Sequence, residues 1–185
     1  MTRIVAGVAK GRRLAVPQRG TRPTSERARE ALFSSLAGLI DVSGARVLDL
    51  FAGTGAVGLE ALSRGAAWAT FVDSDRGACD TLRGNVTTVG IDRADVHRRP
   101  AAAYLVGAGA DDPYDLAFLD PPYAFGEQHL GVLLSTLATP QWLAPGAIVV
   151  VERSARSPEP HWPDTLEPVK QKRYGEGLLW YGRRR

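Results

Sequence analysis

A chain of 185 residues with 44% hydrophobic and 23% charged residues has room for one α/β core, or one core with a small appendage. Its single cysteine, Cys79, excludes an internal disulfide, His97, His129 and His161 lack metal-ligand spacing with it, and no stretch approaches the roughly 20 apolar residues of a membrane span. The net charge of +3 is unevenly spread: residues 1–30 carry +6, residues 170–185 carry +5 and the middle carries −8, so basic ends suited to a polyanion flank an acidic centre suited to another ligand.

Residues 3–7 and 12–17 are short β-prone runs around a glycine-containing connection, which predicts a hairpin studded by Arg3, Lys10, Arg12, Arg13 and Arg19. Residues 18–23 read as a linker. Thr24 or Ser25 can cap a helix with Glu26 in its first turn, and Ala28, Ala31, Leu32, Leu36 and Leu39 recur at helical spacing. From residue 45 strands and helices alternate: strand 46–50, helix 56–64, strand 67–72, helix 75–88, strand 94–98, helix 100–106, strand 114–119, helix 126–138 and strand 147–152. Such alternation predicts a Rossmann-like α/β fold, a doubly wound and mostly parallel sheet with helices on both faces. Segments 166–173 and 177–182, around Gly175-Glu176-Gly177, read as antiparallel strands at the sheet edge. The domain reading is a basic extension over 1–20 followed by a single domain over 21–185.

Between the first sheet strand and its helix, Gly53, Gly55 and Gly58 match G-x-G-x-x-G, and Asp73 lies at the end of the next strand. A dinucleotide and an adenosyl compound could both use that pattern, because Asp73 could accept ribose hydroxyls from either. Asp49 separates them. A carboxylate where a pyrophosphate would approach the helix N-terminus repels it, whereas S-adenosylmethionine (SAM) brings an ammonium and a sulfonium. Asp49, beside backbone amides freed by Gly53 and Gly55, is expected to hold the methionine end of SAM. Asp75 is expected to cap the following helix. Arg99, at the third strand's end, is a candidate for the adenine contact, either by its side chain or by its backbone.

Asp120-Pro121-Pro122-Tyr123 follows directly on the apolar run 116–119. A planar base can stack on Tyr123, with Phe125 as a second wall, while its exocyclic amine donates to the Asp120 carboxylate and to the Pro121 carbonyl. Those hydrogen bonds favour pyramidalisation and aim the nitrogen lone pair at the donor methyl, which is catalysis by placement and electrostatics. Reaching an amine within a stacked polynucleotide requires the nucleotide to be swung out.

These residues resemble the class I, SAM-dependent amino-methyltransferases, which share a tetrapeptide of the form [N/D/S]-P-P-[Y/F/W]. Four stretches, residues 22–33, 48–65, 120–123 and 172–175, make the chain more closely similar to the RsmD family. The resemblance implies a bacterial enzyme that methylates the N2 amine of a guanine in small-subunit (16S) ribosomal RNA, free or within a 30S subunit or assembly intermediate. It implies that Asp49, Gly53, Gly55 and Asp73 hold SAM, with Thr54 and Ser74 close by, and that Asp120, Pro121 and Tyr123 hold the guanine. Arg22 and Thr24 would close over cofactor or substrate, and Lys10, Arg12 and Arg13, with Arg3, would meet phosphates. Pro100 departs from the polar residue that relatives often have near the adenine. A cytoplasmic monomer without metal is expected.

Three rivals remain. A DNA amino-methyltransferase acting on adenine N6 or cytosine N4 would need a sizeable extra segment to read base edges. A glutamine-methylating enzyme leaves the basic hairpin without a purpose. An RNA-binding module without turnover would not need both halves of the reactive site.

Overall fold

The computed structural model describes residues 2–16, 25–107 and 109–185. Strands β1 (Thr2–Arg3) and β2 (Arg13–Leu14) pair antiparallel, so the hairpin forms but its paired part is shorter than the runs 3–7 and 12–17. The cause lies in α2 (Ala56–Ser63). Its buried Glu60 accepts the Val5 and Ala6 amides at 2.8 and 2.9 Å, which takes them out of strand pairing. Ser63 accepts the Ala9 amide at 3.0 Å, and Gly7 (φ 84°) lies so close to it that a Cβ would stand 1.8 Å from the Ser63 carbonyl oxygen. The hairpin is therefore docked, and Ile4, Ala9 and Leu14 join the same buried cluster as Leu59 and Leu62.

Helix α1 (Glu26–Leu36) begins at Ser25, whose hydroxyl accepts the Ala28 amide at 3.1 Å. Then come β3 (Arg46–Leu50), α2, β4 (Trp68–Asp73), α3 (Arg76–Val89), β5 (Ala94–Arg98), α4 (Ala101–Leu105), β6 (Tyr114–Leu119), α5 (Glu127–Leu137), β7 (Leu143–Ser154), β8 (Leu166–Tyr174) and β9 (Gly177–Arg184). As expected, Asp75 caps α3 by accepting the Ala78 amide at 2.7 Å.

The sheet runs β5-β4-β3-β6-β7-β9-β8, parallel up to β7 and antiparallel across β9. Continuous apolar runs such as 116–119 are buried on both faces, as a doubly covered parallel sheet requires. Leu32, Leu62 and Leu82 of α1, α2 and α3 close one face, and Leu105 and Leu134 of α4 and α5 close the other. The strand order reverses between β3 and β6. In open α/β sheets ligands bind at such a switch point, beyond the strands' carboxyl ends.

Candidate active site

At the carboxyl end of β3 the chain turns sharply. Phe51 holds φ 67°, costly for an aromatic residue, and Gly53 and Gly55 follow at φ 53° and 74°. The glycines do different work from that expected. The Gly53 amide donates to Asp73 Oδ2 at 2.8 Å and the Gly55 amide to the Ala52 carbonyl at 2.7 Å, so neither is left for the methionine end. Gly55 is instead a packing position, since a Cβ there would stand 2.0 Å from Leu82 Cδ1. Asp49 is buried, and its Oδ2 accepts the Gly58 amide at 3.1 Å.

A cavity of about 740 Å³ opens over this end of the sheet. Of the expected cofactor residues, Asp49, Gly53, Thr54, Asp73 and Ser74 line it, together with Phe51. Arg99 lies outside that lining, and its backbone amide is bound to the Asp73 carbonyl at 3.0 Å; Pro100, Ala101 and Ala102 form the wall there. Asp120 through Tyr123 and Phe125 line the far side.

Sheet register explains why acids converge here. Asp49 pairs with Phe118 and with Phe71, so the residues two further along, Asp73 and Asp120, point to the same face. Leu119 pairs with Val151, which places Asp120, one residue past the tip of β6, beside Glu152 of the adjacent parallel strand β7. Burial raises the Asp49 carboxyl to about 7, with Asp73 adding and the Gly58 amide opposing. Burial, then Glu152 and Asp49, raise Asp120 to about 8 against the pull of Arg153. Such a row of acids suits a ligand that carries positive charge.

The tetrapeptide forms a braced loop. Pro121 is buried, the Pro122 carbonyl accepts the Phe125 amide at 2.8 Å, and Phe125 meets Phe51 edge-on with ring centroids 5.3 Å apart. Arg153 donates to the Phe125 carbonyl at 3.0 Å and to Glu127, tying the loop to β7. Tyr123 is 77% exposed, which places its ring at the cavity mouth and outside the core. Glu152, Arg153, Tyr174 and the Gly175–Gly177 turn also line the cavity, and sequence reasoning gave none of them a part in the site. The one available signal was the acid ending an apolar strand at Glu152, the pattern already used at Asp73 and Asp120.

Of the residues expected to meet phosphates, Lys10 and Arg13 are exposed. Arg3 pairs with Glu26 at 3.0 Å. Arg12 is already engaged, donating to the Thr88 and Val89 carbonyls at the C-terminus of α3, where a cation offsets the helix dipole. Arg22 and Thr24 lie outside the described residues. At the C-terminal end Arg183 donates to the Leu39 carbonyl at 3.4 Å, a structural use of a basic residue. Among the described residues no acid, His or Cys group has metal-site geometry, and no helix is long and apolar enough to cross a membrane.

Residues 2–183 match the family model described as "Conserved hypothetical protein 95". The chain is 38% identical over 175 residues to Ribosomal RNA small subunit methyltransferase D of Escherichia coli strain K12, covering 94% of this chain and 85% of that protein. The protein of that name from Haemophilus influenzae is 36% identical over 84% of this chain and 80% of its own length. Among solved structures, yhhF of Escherichia coli superposes with a TM-score of 0.87 at 35% identity, covering 99% of this chain and 97% of that one. A hypothetical protein from Thermus thermophilus superposes with a TM-score of 0.82 at 34% identity, covering 98% of each chain. On the family match over residues 2–183 and the 38% identity along 94% of its length, the chain belongs to the family of small-subunit ribosomal RNA methyltransferase D.

Proposed function

We propose that this protein transfers a methyl group from SAM to the exocyclic N2 amine of a guanine in small-subunit ribosomal RNA. The observation that carries this reading is the meeting, in one cavity, of the buried Asp49 with the Asp120–Tyr123 loop. SAM fits the donor set. Two carboxyls that burial leaves near neutrality gain most from a cationic ligand, and Asp49, Thr54, Asp73 and Ser74 are the residues that would hold it. Bound there, it supplies an electrophilic methyl on a positive sulfur.

The chain's own groups do the rest by placement. Asp120, beside the Pro121 carbonyl, accepts the guanine amine and steers its lone pair, while the Phe51–Phe125 edge and the Tyr123 ring give the base apolar faces to stack on. Methyl transfer releases one amine proton, and a carboxylate whose proton affinity lies near neutral pH is suited to receive it. The substrate is read as the RNA within a small subunit or an assembly intermediate, in the cytoplasm, with the protein acting as a monomer. The exposed Lys10 and Arg13 are available for phosphates.

The test is incubation with methyl-labelled SAM and separate pools of small-subunit RNA, assembled small subunits, DNA and protein, followed by nucleoside digestion. Label in N2-methylguanosine from RNA or subunits is expected. Label confined to DNA or protein, or to another base, would overturn the reading.

A further inference from the structure

We propose that Glu152 selects guanine by accepting its N1–H, beside the amine held by Asp120. The inference rests on the guanine reading above and names the residue that makes the pocket prefer that base. Three observations support it. The Leu119–Val151 pairing puts Asp120, one residue past the tip of β6, next to Glu152 of β7 on one face, and both line the cavity. Arg153, next along β7, gives its hydrogen bonds to the Phe125 carbonyl and to Glu127, and lowers Asp120 through its charge without overcoming burial and Glu152. Tyr174 lines the same cavity, and burial, followed by Glu152, pushes its phenol upward, so it remains a neutral hydroxyl there.

Two neighbouring carboxyl groups form a row of acceptors. Guanine alone among the four RNA bases presents adjacent donors, N1–H and the N2 amine, along its pairing edge. Adenine and cytosine place a ring-nitrogen lone pair next to their amine, and that lone pair would face the Glu152 carboxylate. A site built to accept a hydrogen bond rejects analogues that lack the donor, because its buried acceptor is then left facing a second acceptor. Asp120 alone would accept an amine from any of these bases. Glu152 makes the distinction.

The probe is 2-aminopurine placed at the target position of the RNA, since it keeps the reactive amine but has a lone pair at N1. The wild-type protein is expected to favour guanine by about 100-fold in kcat/KM. In Glu152→Gln, whose amide can turn its N–H toward a purine N1, the preference should fall below about 10-fold, chiefly through better use of 2-aminopurine. Glu152→Ala, which removes the acceptor altogether, should show the same fall. Melting temperature and SAM affinity identify which variants are folded. Equal use of the two bases by the wild type overturns the proposal. So does an unchanged preference in the folded variants, or an equal loss of both substrates in them. A wild-type protein that methylates no guanine in any RNA pool would instead sink the guanine reading itself, which keeps the two failures distinct.

Discussion

The cavity and the N-terminal hairpin handle buried charge in opposite ways. Around the hairpin each buried charge meets its opposite: Arg29 and Glu60 are both fully buried, 3.9 Å apart, and Glu60 also takes Arg64 at 2.9 Å and two backbone amides. In the cavity Asp49, Asp120 and Glu152 crowd together, and among the described residues Arg153 is the group that draws Asp120 downward. Compensated charge holds the hairpin on the body. Burial first, and crowded like charge second, raise carboxyl proton affinity there and leave a site that a cation completes.

Breaking the cavity's chemistry should have the largest effect. Asp120→Ala is expected to lower the rate of methyl transfer by about 1000-fold, with SAM affinity changed less than about threefold. Single-turnover kinetics with a parallel binding titration reads both, and an active variant would remove Asp120 from the mechanism. On the hairpin side, Glu60→Ala removes the buried counter-charge of Arg29 and the acceptor of two amides and should cost about 3–5 kcal/mol in denaturant unfolding. A loss within about 0.5 kcal/mol would show that the pairing there is dispensable.

Asp49→Asn sharpens the contrast, because it should weaken SAM binding about 10-fold and yet stabilise the ligand-free protein at pH 8. The sign follows from linkage. A carboxyl held at about 7 in the folded state, above its value in the unfolded chain, adds stability below roughly pH 4, and that stability is lost as pH rises through 7. Melting temperatures of wild type and variant should therefore diverge between pH 5 and pH 8, and parallel curves would contradict it. The smallest effects are expected among the exposed cations. Lys10→Ala with Arg13→Ala should weaken RNA binding and make its salt dependence shallower by about two ion equivalents. Arg12→Ala should cost about 1 kcal/mol of stability through the α3 C-terminus.

The strand ends that carry Asp73 and Asp120 were legible in the sequence, because an acid closing an apolar run announces both the strand and its tip, and Asp49 was legible from the glycine-rich turn that follows it. Glu152 closes such a run as well, but its place beside Asp120 depends on β6 neighbouring β7 and on a register interrupted between Tyr114 and Leu116. That interruption also explains why β7 starts at Leu143, four residues before the expected 147: Pro145 and Gly146 (φ 78°) resemble a break, but the ladder continues past them. Tyr174 reaches the site only through the β8–β9 hairpin, a long-range placement that local pattern does not encode. The basic hairpin misled in part. Charge alone does not tell an arginine that faces solvent, such as Arg13, from one already bound to a helix end, such as Arg12.

The central claim, that crowded acids await a cationic ligand, is tested most directly by counting protons on SAM binding at pH 7, by calorimetry in buffers of different ionisation enthalpy. With Asp49 at about 7 and Asp120 at about 8 before binding, a cation must lower both, and on the order of one proton should be released per SAM bound. Heats independent of buffer, or net proton uptake, would contradict it.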